Sequence, residues 1–461
     1  MTSSSRIKAD RDHISQLPVN RDQTGQNQAF QSPAGPATLL AKQVQWRHPT
    51  LVNSNIDQTQ LAISDAPTDG TAFSFIVMGD TDAGALNAAA NTAANKTAPS
   101  NSTFSHAFAQ QLMAQVGDSR FLLHTGDVTY PMGTYQNYRS GFLEPYQALL
   151  ARRLKGPNYN SRSVIFNRPV LPVPGNHDYA DLRGFARTRQ RFLRAACDRL
   201  RQFFNLDFGH YGGHGGEAYG QTFLDTLVTL SPEQLKHHLS AHYSALAQWP
   251  QQNTQALTPP LPTDDNPAYC LNYQPSEFTR LPNRYYRFRY GGVDFFALDS
   301  NTWNTASDHK DFDHEQLAWL EKSLIASWQT PGTVGRILYL HHSPYTTEST
   351  RWQQAETLWV RRHLRSVLDR VQAACAHCPP TAPLVDIVIS GHAHCLEHVR
   401  TTDTGHADAH LDWIVCGGSG LSLRQQRNAE TPDILEKLSA RSSHTPYSYD
   451  CQRLCSQRLC R

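Results

Sequence analysis

Residues 121–130 read FLLHTGDVTY and residues 384–394 read LVDIVISGHAH. Each is an apolar run of the kind that forms a buried strand, closed by a glycine and followed at once by groups that bind metal through oxygen or nitrogen. Three further segments repeat the design: Gly79-Asp80 after the run 73–78, Gly175-Asn176-His177-Asp178 after 170–173, and His341-His342 after 337–340. A single Gly-Asp pair is an ordinary turn. Five such segments in one chain, each at the exit of an expected strand, read as the ligands of a two-metal hydrolase site.

Outward from these segments the texture is that of an α/β domain. Further strand-like runs lie at 293–298 and 411–416, and helical stretches at Ser105 to Val116 and Glu315 to Trp328 alternate with them. Gly291-Gly292 predicts a two-residue hairpin between Arg284–Arg289 and Val293–Leu298. Residues 1–70 are polar and read as a weakly ordered extension, 71–425 as the catalytic domain, and 426–461 as a polar tail containing cysteines. Within the domain, residues 180–284 break the rhythm with an arginine-rich stretch, a glycine-rich loop and a proline-rich passage. They read as an insertion, a lid or flank of the site.

The 461 residues carry a formal charge of +2, too near neutrality to point to nucleic acid or an anionic membrane as partner. No apolar run approaches the ~20 residues of a membrane helix, and the first thirty residues lack the apolar region of a secretory signal. The expectation is a soluble cytoplasmic protein acting on a small molecule, with its oligomeric state open. Nine cysteines are scattered along the chain and read as reduced thiols. The alternative, in which Cys375 and Cys378 join Cys451, Cys455 and Cys460 around zinc, is weaker because no spacing pattern links the two clusters.

The ligand chemistry is hard to borderline. Carboxylate, amide oxygen, imidazole and phenol suit iron, manganese or zinc, and no cysteine or methionine lies among the five segments. Glycine directly before Asp80, Asp127, Asn176 and His392 lets the chain turn sharply and brings backbone close to an ion. His392 and His394 can serve different ions. Asn176 binds without adding charge, and His177 beside it is free for proton transfer, with Asp178 placed to orient it.

These segments resemble the calcineurin-like metallophosphoesterase family, and more narrowly its purple acid phosphatase branch, whose pattern is GDxG, GDxxY, GNH(D/E), a strand-borne histidine and GHxH. The likeness spans roughly residues 72–420 and extends to YYRFRYGGVDFFALDS at 285–300 and to Leu317-Ala318-Trp319-Leu320. It implies a four-layer αββα sandwich of two mixed sheets with flanking helices. It also implies one metal held by Asp80, Tyr130 and His394, a second held by Asn176, His341 and His392, and Asp127 bridging them. Iron paired with iron, zinc or manganese is the implied content, with Tyr130 as the ligand of ferric iron. The implied reaction is hydrolysis of a small phosphate ester by in-line attack of metal-bound hydroxide, with His177 as general acid. The alternatives are a phosphodiesterase or nucleotidase of the same superfamily, and a metal-binding regulatory protein with weak catalysis.

Three places depart from the pattern. Asp82 stands where the purple enzymes carry glycine, and reads as a carboxylate behind the ligands, an extra ligand or a turn residue. Cys395-Leu396-Glu397-His398 replaces the tyrosine and arginine common after the last motif. His341 and His342 are adjacent, and the following Pro344-Tyr345 favours His341 as ligand without excluding His342. Elsewhere His210 and His214 read as mobile surface residues, His237, His238 and His242 as a solvated helix face, and Arg183 to Arg201 as a charged helix exterior.

Overall fold

The computed structural model describes residues 56–81, 101–130, 133–154, 163–179, 216–225, 227, 230–245, 269–309, 312–375, 383–420, 423–426 and 449–452. Its strands are β1 (Ile56–Ile63), β2 (Ile76–Met78), β3 (Leu122–His124), β4 (Val170–Pro172), β5 (Tyr243–Ala245), β6 (Tyr269–Tyr273), β7 (Tyr286–Tyr290), β8 (Val293–Ala297), β9 (Gly335–Leu340), β10 (Ile387–Ser390), β11 (Leu396–Thr401), β12 (Asp412–Cys416) and β13 (Tyr449–Gln452). They form two sheets: a larger one ordered β13-β11-β12-β10-β9-β8-β7-β1-β6-β5, and a smaller one ordered β2-β3-β4. The smaller sheet is parallel throughout, so the mixed character lies in the larger sheet, where β8, β9, β10 and β12 run parallel and β7, β11 and β5 pair antiparallel with β8, β12 and β6.

The predicted hairpin is β7–β8. Gly291 and Gly292 turn it with φ of 57° and 86°, the pair of positive angles a type I′ turn requires. Between the two sheets lies a core rich in aromatic rings. Phe288 and Phe295 stack at 4.7 Å between centroids, and Phe121 of the small-sheet side meets them edge-on at 5.7 and 5.4 Å. The strand period of two sends the alternate residues Phe296, Leu338, Leu340 and Val388 to the opposite face of the large sheet. There they meet Trp319, Leu320, Leu364 and Leu368 of two long helices described below.

Helix α1 (Asn101–Gln115) joins the first core through Ala109, with Phe108, Leu112 and Met113 packed against it. Helix α2 (Asn176–Tyr179) is a single turn after β4, and α3 (Glu217–Phe223) and α4 (Pro232–His242) follow. Helices α5 (His314–Gln329) and α6 (Ala355–Ala374) cover the outer face of the large sheet. Asp313 caps α5 by accepting from the amides of Glu315 and Gln316. No described helix is long and apolar enough to cross a membrane.

The structure corrects several expectations. Strand β1 lies inside the stretch 1–70 that reads as a weakly ordered extension, yet it sits between β7 and β6 in the large sheet. Its sequence, IDQTQLAI, hides this because buried polar residues replace the apolar run. Thr59 Oγ1 accepts from Trp319 Nε1 at 3.0 Å, and Gln60 Oε1 accepts from Arg287 Nη2 at 2.7 Å. In the 180–284 segment, α3, α4, β5 and β6 are described, and β6 with β5 widens the large sheet beyond β1. The helix face of His238 and His242 is packed rather than solvated: His238 Nε2 lies 2.8 Å from Asp225 Oδ2, and His242 stacks on Phe278 at 3.8 Å. Cys375 is disulfide-bonded whereas Cys270, Cys395 and Cys416 are free thiols. The expectation of reduced cysteines therefore fails at Cys375, and a sulfur in a disulfide is no thiolate ligand for zinc.

One buried ion network ties α2 to the sheet end. Arg284 donates from Nη1 to Asp299 Oδ2 at 2.6 Å and from Nη2 to Asp313, while the hydroxyl of Tyr179, the last residue of α2, donates to Asp299 as well. Arg284→Ala would leave the buried Asp299 and the partly buried Asp313 without their cation, and breaking such a network costs about 3–5 kcal/mol. The expected result is a correspondingly lower urea midpoint with an unchanged m-value.

Candidate metal centre

All five ligand segments leave the same ends of parallel strands. Asp80, Asp127 and Asn176 follow β2, β3 and β4 of the small sheet, and His341 and the pair His392 and His394 follow β9 and β10 of the large one. The carboxyl ends of parallel strands in open sheets are where α/β proteins build sites.

The side chains form two groups around one carboxylate. On one side, Tyr130 Oη lies 2.7 Å from both Asp80 Oδ1 and Asp127 Oδ2, either of which can accept its one proton, and 3.4 Å from His394 Nε2. His394 Nε2 is 3.4 Å from Asp80 Oδ1. On the other side, Asn176 Oδ1 lies 2.9 Å from His341 Nε2 and 3.1 Å from His392 Nδ1, and the two imidazole nitrogens are 3.2 Å apart. His341 Nε2 is also 3.4 Å from Asp127 Oδ2, so Asp127 touches both groups. Asp127, His341 and His392 each offer a ligand atom within 4.8 Å of the others. Atoms bound to one cation at about 2.0–2.2 Å stand about 3–3.6 Å apart in tetrahedral or octahedral arrangement, close to the spacing in each group. The donor set fits a pair of cations.

Backbone geometry bears out the sharp turn at Gly126, whose φ is 88°, and elsewhere gives the glycines another reason. The left-handed conformation also falls on the candidate ligands themselves: φ is 57° at Asp80, 51° at Asp127 and 64° at His392. At Gly175 and Gly391 the requirement is room. A Cβ on Gly175 would overlap the Asp127 amide and carboxylate, and one on Gly391 would come within 2.7 Å of Asp80 Oδ2 and Thr125 Oγ1. The loops of the two sheets pass so close that no side chain fits between them.

Charge in the cluster is tightly balanced. Burial alone raises the Asp127 carboxyl, but the facing imidazoles of His341 and His177, with hydrogen bonds from His341 and Tyr130, hold it far below the usual carboxylate range. His341 is pulled down by burial and lifted, to about 9, by Asp127, Asp80 and the Thr125 carbonyl together. Burial, then Asp127 and Asp80, keep the Tyr130 phenol protonated well above its ordinary value. A cation would reverse that preference, since bound metal favours deprotonated ligands.

The neighbouring histidine pair divides its roles. His341 Nδ1 donates to the Thr125 carbonyl at 2.8 Å, which leaves Nε2 for the cluster. His342 turns the other way: its Nδ1 lies 2.9 Å from Ser300 Oγ, and its own backbone amide donates to that oxygen at 2.9 Å. Burial and the charge on His341 drive His342 well below the ordinary imidazole range, so it is neutral.

Asp178 holds backbone on both sides of the cluster. Its carboxylate accepts from the Gly175 amide at 2.8 Å, the Val128 amide at 3.1 Å and the Tyr138 hydroxyl at 2.6 Å, and so fastens the loops carrying Asp127 and Asn176. Burial and then Asp127 push it up to about 7. The His177 backbone amide donates to Asp127 Oδ1 at 2.8 Å, and its ring lies 4.3 Å from that of Tyr130.

Two further residues brace the site without having been predicted. His124 accepts the Gly126 amide at Nδ1 and meets Thr81 Oγ1 at 3.0 Å through Nε2, linking the Asp80 and Asp127 loops. Burial lowers it to about 3, so it is a neutral strut. The only signal was its place three residues before Asp127. Glu397, in the departure after the last motif, is fully buried and accepts from Thr346 Oγ1 at 2.6 Å and the Thr347 amide at 3.0 Å, anchoring the loop that follows His342. Asp82, His210, His214 and Arg183 to Arg201 lie outside the described residues.

Comparison with known proteins places this geometry. No curated protein gives a significant sequence match. Among solved structures, the chain is similar to the purple acid phosphatase PPD1 isolated from yellow lupin (Lupinus luteus) seeds, at 14% identity and TM-score 0.43, over 84% of this chain and 49% of that one. It is similar to a dimetal phosphatase from Danio rerio at 12% identity and TM-score 0.37, over 74% and 86% of the two chains. It is also similar to GAP50, the anchor in the inner membrane complex of Plasmodium, at 13% identity and TM-score 0.36, over 77% and 76%. The chain thus spans about half the length of the lupin protein. The calcineurin-like phosphoesterase profile matches residues 73–396, a span that includes all five ligand segments, and on this match the chain belongs to the calcineurin-like phosphoesterase family.

Proposed function

We propose that the chain hydrolyses small phosphate monoesters at a pair of cations, in the manner of a purple acid phosphatase. The position of Tyr130 carries the reading: its hydroxyl is the point on which Asp80, Asp127 and His394 converge. Asp80, Tyr130 and His394 would hold one ion, Asn176, His341 and His392 the other, and Asp127 would be shared. Bound there, the pair would supply Lewis-acid polarisation of a phosphoryl oxygen and acidification of water. Oxygen and nitrogen donors without thiolate suit iron together with iron, zinc or manganese.

The chain's own contribution to the chemistry is position and a proton. His177 is registered to the shared carboxylate through its backbone amide, so its ring keeps one place relative to both ligand groups. It would hold the proton that the leaving alkoxide takes up. Asp178, Tyr138 and His124 keep the loops from spreading, and such support fixes ligand geometry and affinity.

Elemental analysis of the purified protein beside its visible spectrum tests the reading. Iron with a broad visible band that disappears in Tyr130→Phe supports it, with ion affinity in the variant lower by about 10–100-fold. A colourless, fully active di-manganese protein overturns the iron–phenolate assignment. Metal-replete protein that turns over no aryl phosphate and no phosphodiester overturns the reading altogether, and faster cleavage of diesters than monoesters moves the substrate class to a phosphodiesterase or nucleotidase.

A further inference from the structure

Two buried ring nitrogens beside the cluster have no hydrogen-bond partner among the described residues: His392 Nε2 and His342 Nε2. They belong to neighbouring rings, with centroids 4.5 Å apart and planes inclined by 47°. His392 turns Nδ1 to Asn176 and His341, so that nitrogen is the one offered to metal. A neutral imidazole that ligates through Nδ1 carries its proton on Nε2, and ligating histidines almost always pass that proton to a carboxylate, a carbonyl or water. Here neither a carboxylate nor a carbonyl receives it.

We propose that His342 is the positioning residue for His392, accepting the His392 Nε2 proton at its own Nε2, across one water or after a small rotation of the adjoining rings. The tautomer this requires is the one Ser300 permits. Ser300 Oγ is 2.9 Å from His342 Nδ1 and already holds the His342 amide, and a second lone pair on Oγ takes the Nδ1 proton. His342 Nε2 is then a lone pair on the ring adjoining the His392 donor. Adjacent histidines at the exit of β9 thus serve one ion twice: His341 through direct ligation, His342 by holding the other ligand's ring in place. Isolated polar atoms are rarely left in a protein interior, and two complementary ones on adjoining rings answer each other.

The inference rests on the cluster being a metal site, so the test separates the two ideas. Wild-type protein, His342→Gln and His342→Leu are loaded with metal and followed by elemental analysis and by the rate of ion release to a chelator. Glutamine keeps an acceptor oxygen, whereas leucine fills the space without one. The expected result is two ions in wild type and in His342→Gln, and a His342→Leu protein whose second ion is held about 10–100-fold more weakly. Wild type that binds no metal overturns the metal-site reading itself. Wild type and His342→Leu with equal content and equal release rates overturn the role of His342 alone. Should His342→Leu fail to fold, histidine-selective nitrogen-15 spectra of the loaded wild type decide. A ring proton protected from exchange and correlated with a second histidine ring supports the role, and the absence of any such proton overturns it.

Discussion

In His177→Ala, turnover of an alkyl phosphate is expected to fall about 10²–10⁴-fold, while the ion content stays that of the wild type. The separation follows from which part of His177 does what. Its backbone amide holds Asp127 Oδ1 at 2.8 Å, and alanine keeps that amide, so the shared carboxylate stays in register. Only the ring is lost. A general acid matters most when the departing group is a strong base, so the loss on a nitrophenyl ester, whose phenolate leaves without help, should be smaller. Steady-state kinetics on the two esters, beside elemental analysis, check both points. Equal losses on both esters would show that the ring acts on something other than the leaving group.

Asp127→Asn is the second large effect expected: fewer than two ions retained per chain after dialysis, and kcat/KM lower by about 10³-fold or more, since removing a single preorganised electrostatic contact already costs about 10²–10³. The substitution hardly changes shape, so the argument is one of charge and hydrogen-bond direction. Oδ1 faces a backbone N–H, and Oδ2 faces the Tyr130 hydroxyl at 2.7 Å and His341 Nε2 at 3.4 Å. Turned one way, the amide's NH₂ meets the His177 N–H, which needs an acceptor; turned the other, it takes the oxygen away from the side that Tyr130 and His341 share. The negative charge that lifts His341 and anchors both ligand groups disappears as well. A variant that kept two ions and activity within tenfold of wild type would show that Asp127 is not shared.

The ligand segments could be read in the sequence because strand exits leave a local signature: an apolar run, a glycine, then a polar group. That signature holds for Asp80, Asp127, Asn176 and His392, and His341 follows its apolar run directly without a glycine; the structure gathers all five into one place. It fails where meaning depends on what a residue faces. Strand β1 lacks apolar alternation because Thr59 and Gln60 are satisfied by Trp319 and Arg287, residues more than two hundred positions away. Asp178 sits beside His177 in the chain, and nothing in that spacing showed that its carboxylate also reaches back to the amides of Gly175 and Val128. The choice between His341 and His342 could not be settled by spacing, since adjacent strand-end residues point to opposite sides. In the structure Thr125 turns His341 Nε2 into the cluster, and Ser300 holds Nδ1 of His342 on the other side.

Left-handed backbone at Asp80, Asp127 and His392 has an outcome for redesign. Aspartate, asparagine and histidine tolerate such angles better than other side chains bearing a Cβ. Exchanging these positions for cysteine, to welcome a thiophilic ion such as monovalent copper, would therefore meet resistance from the main chain before any question of donor softness arose. The palette of ions open to this pocket is narrowed by three bends in the peptide as much as by the atoms at the ends of its side chains.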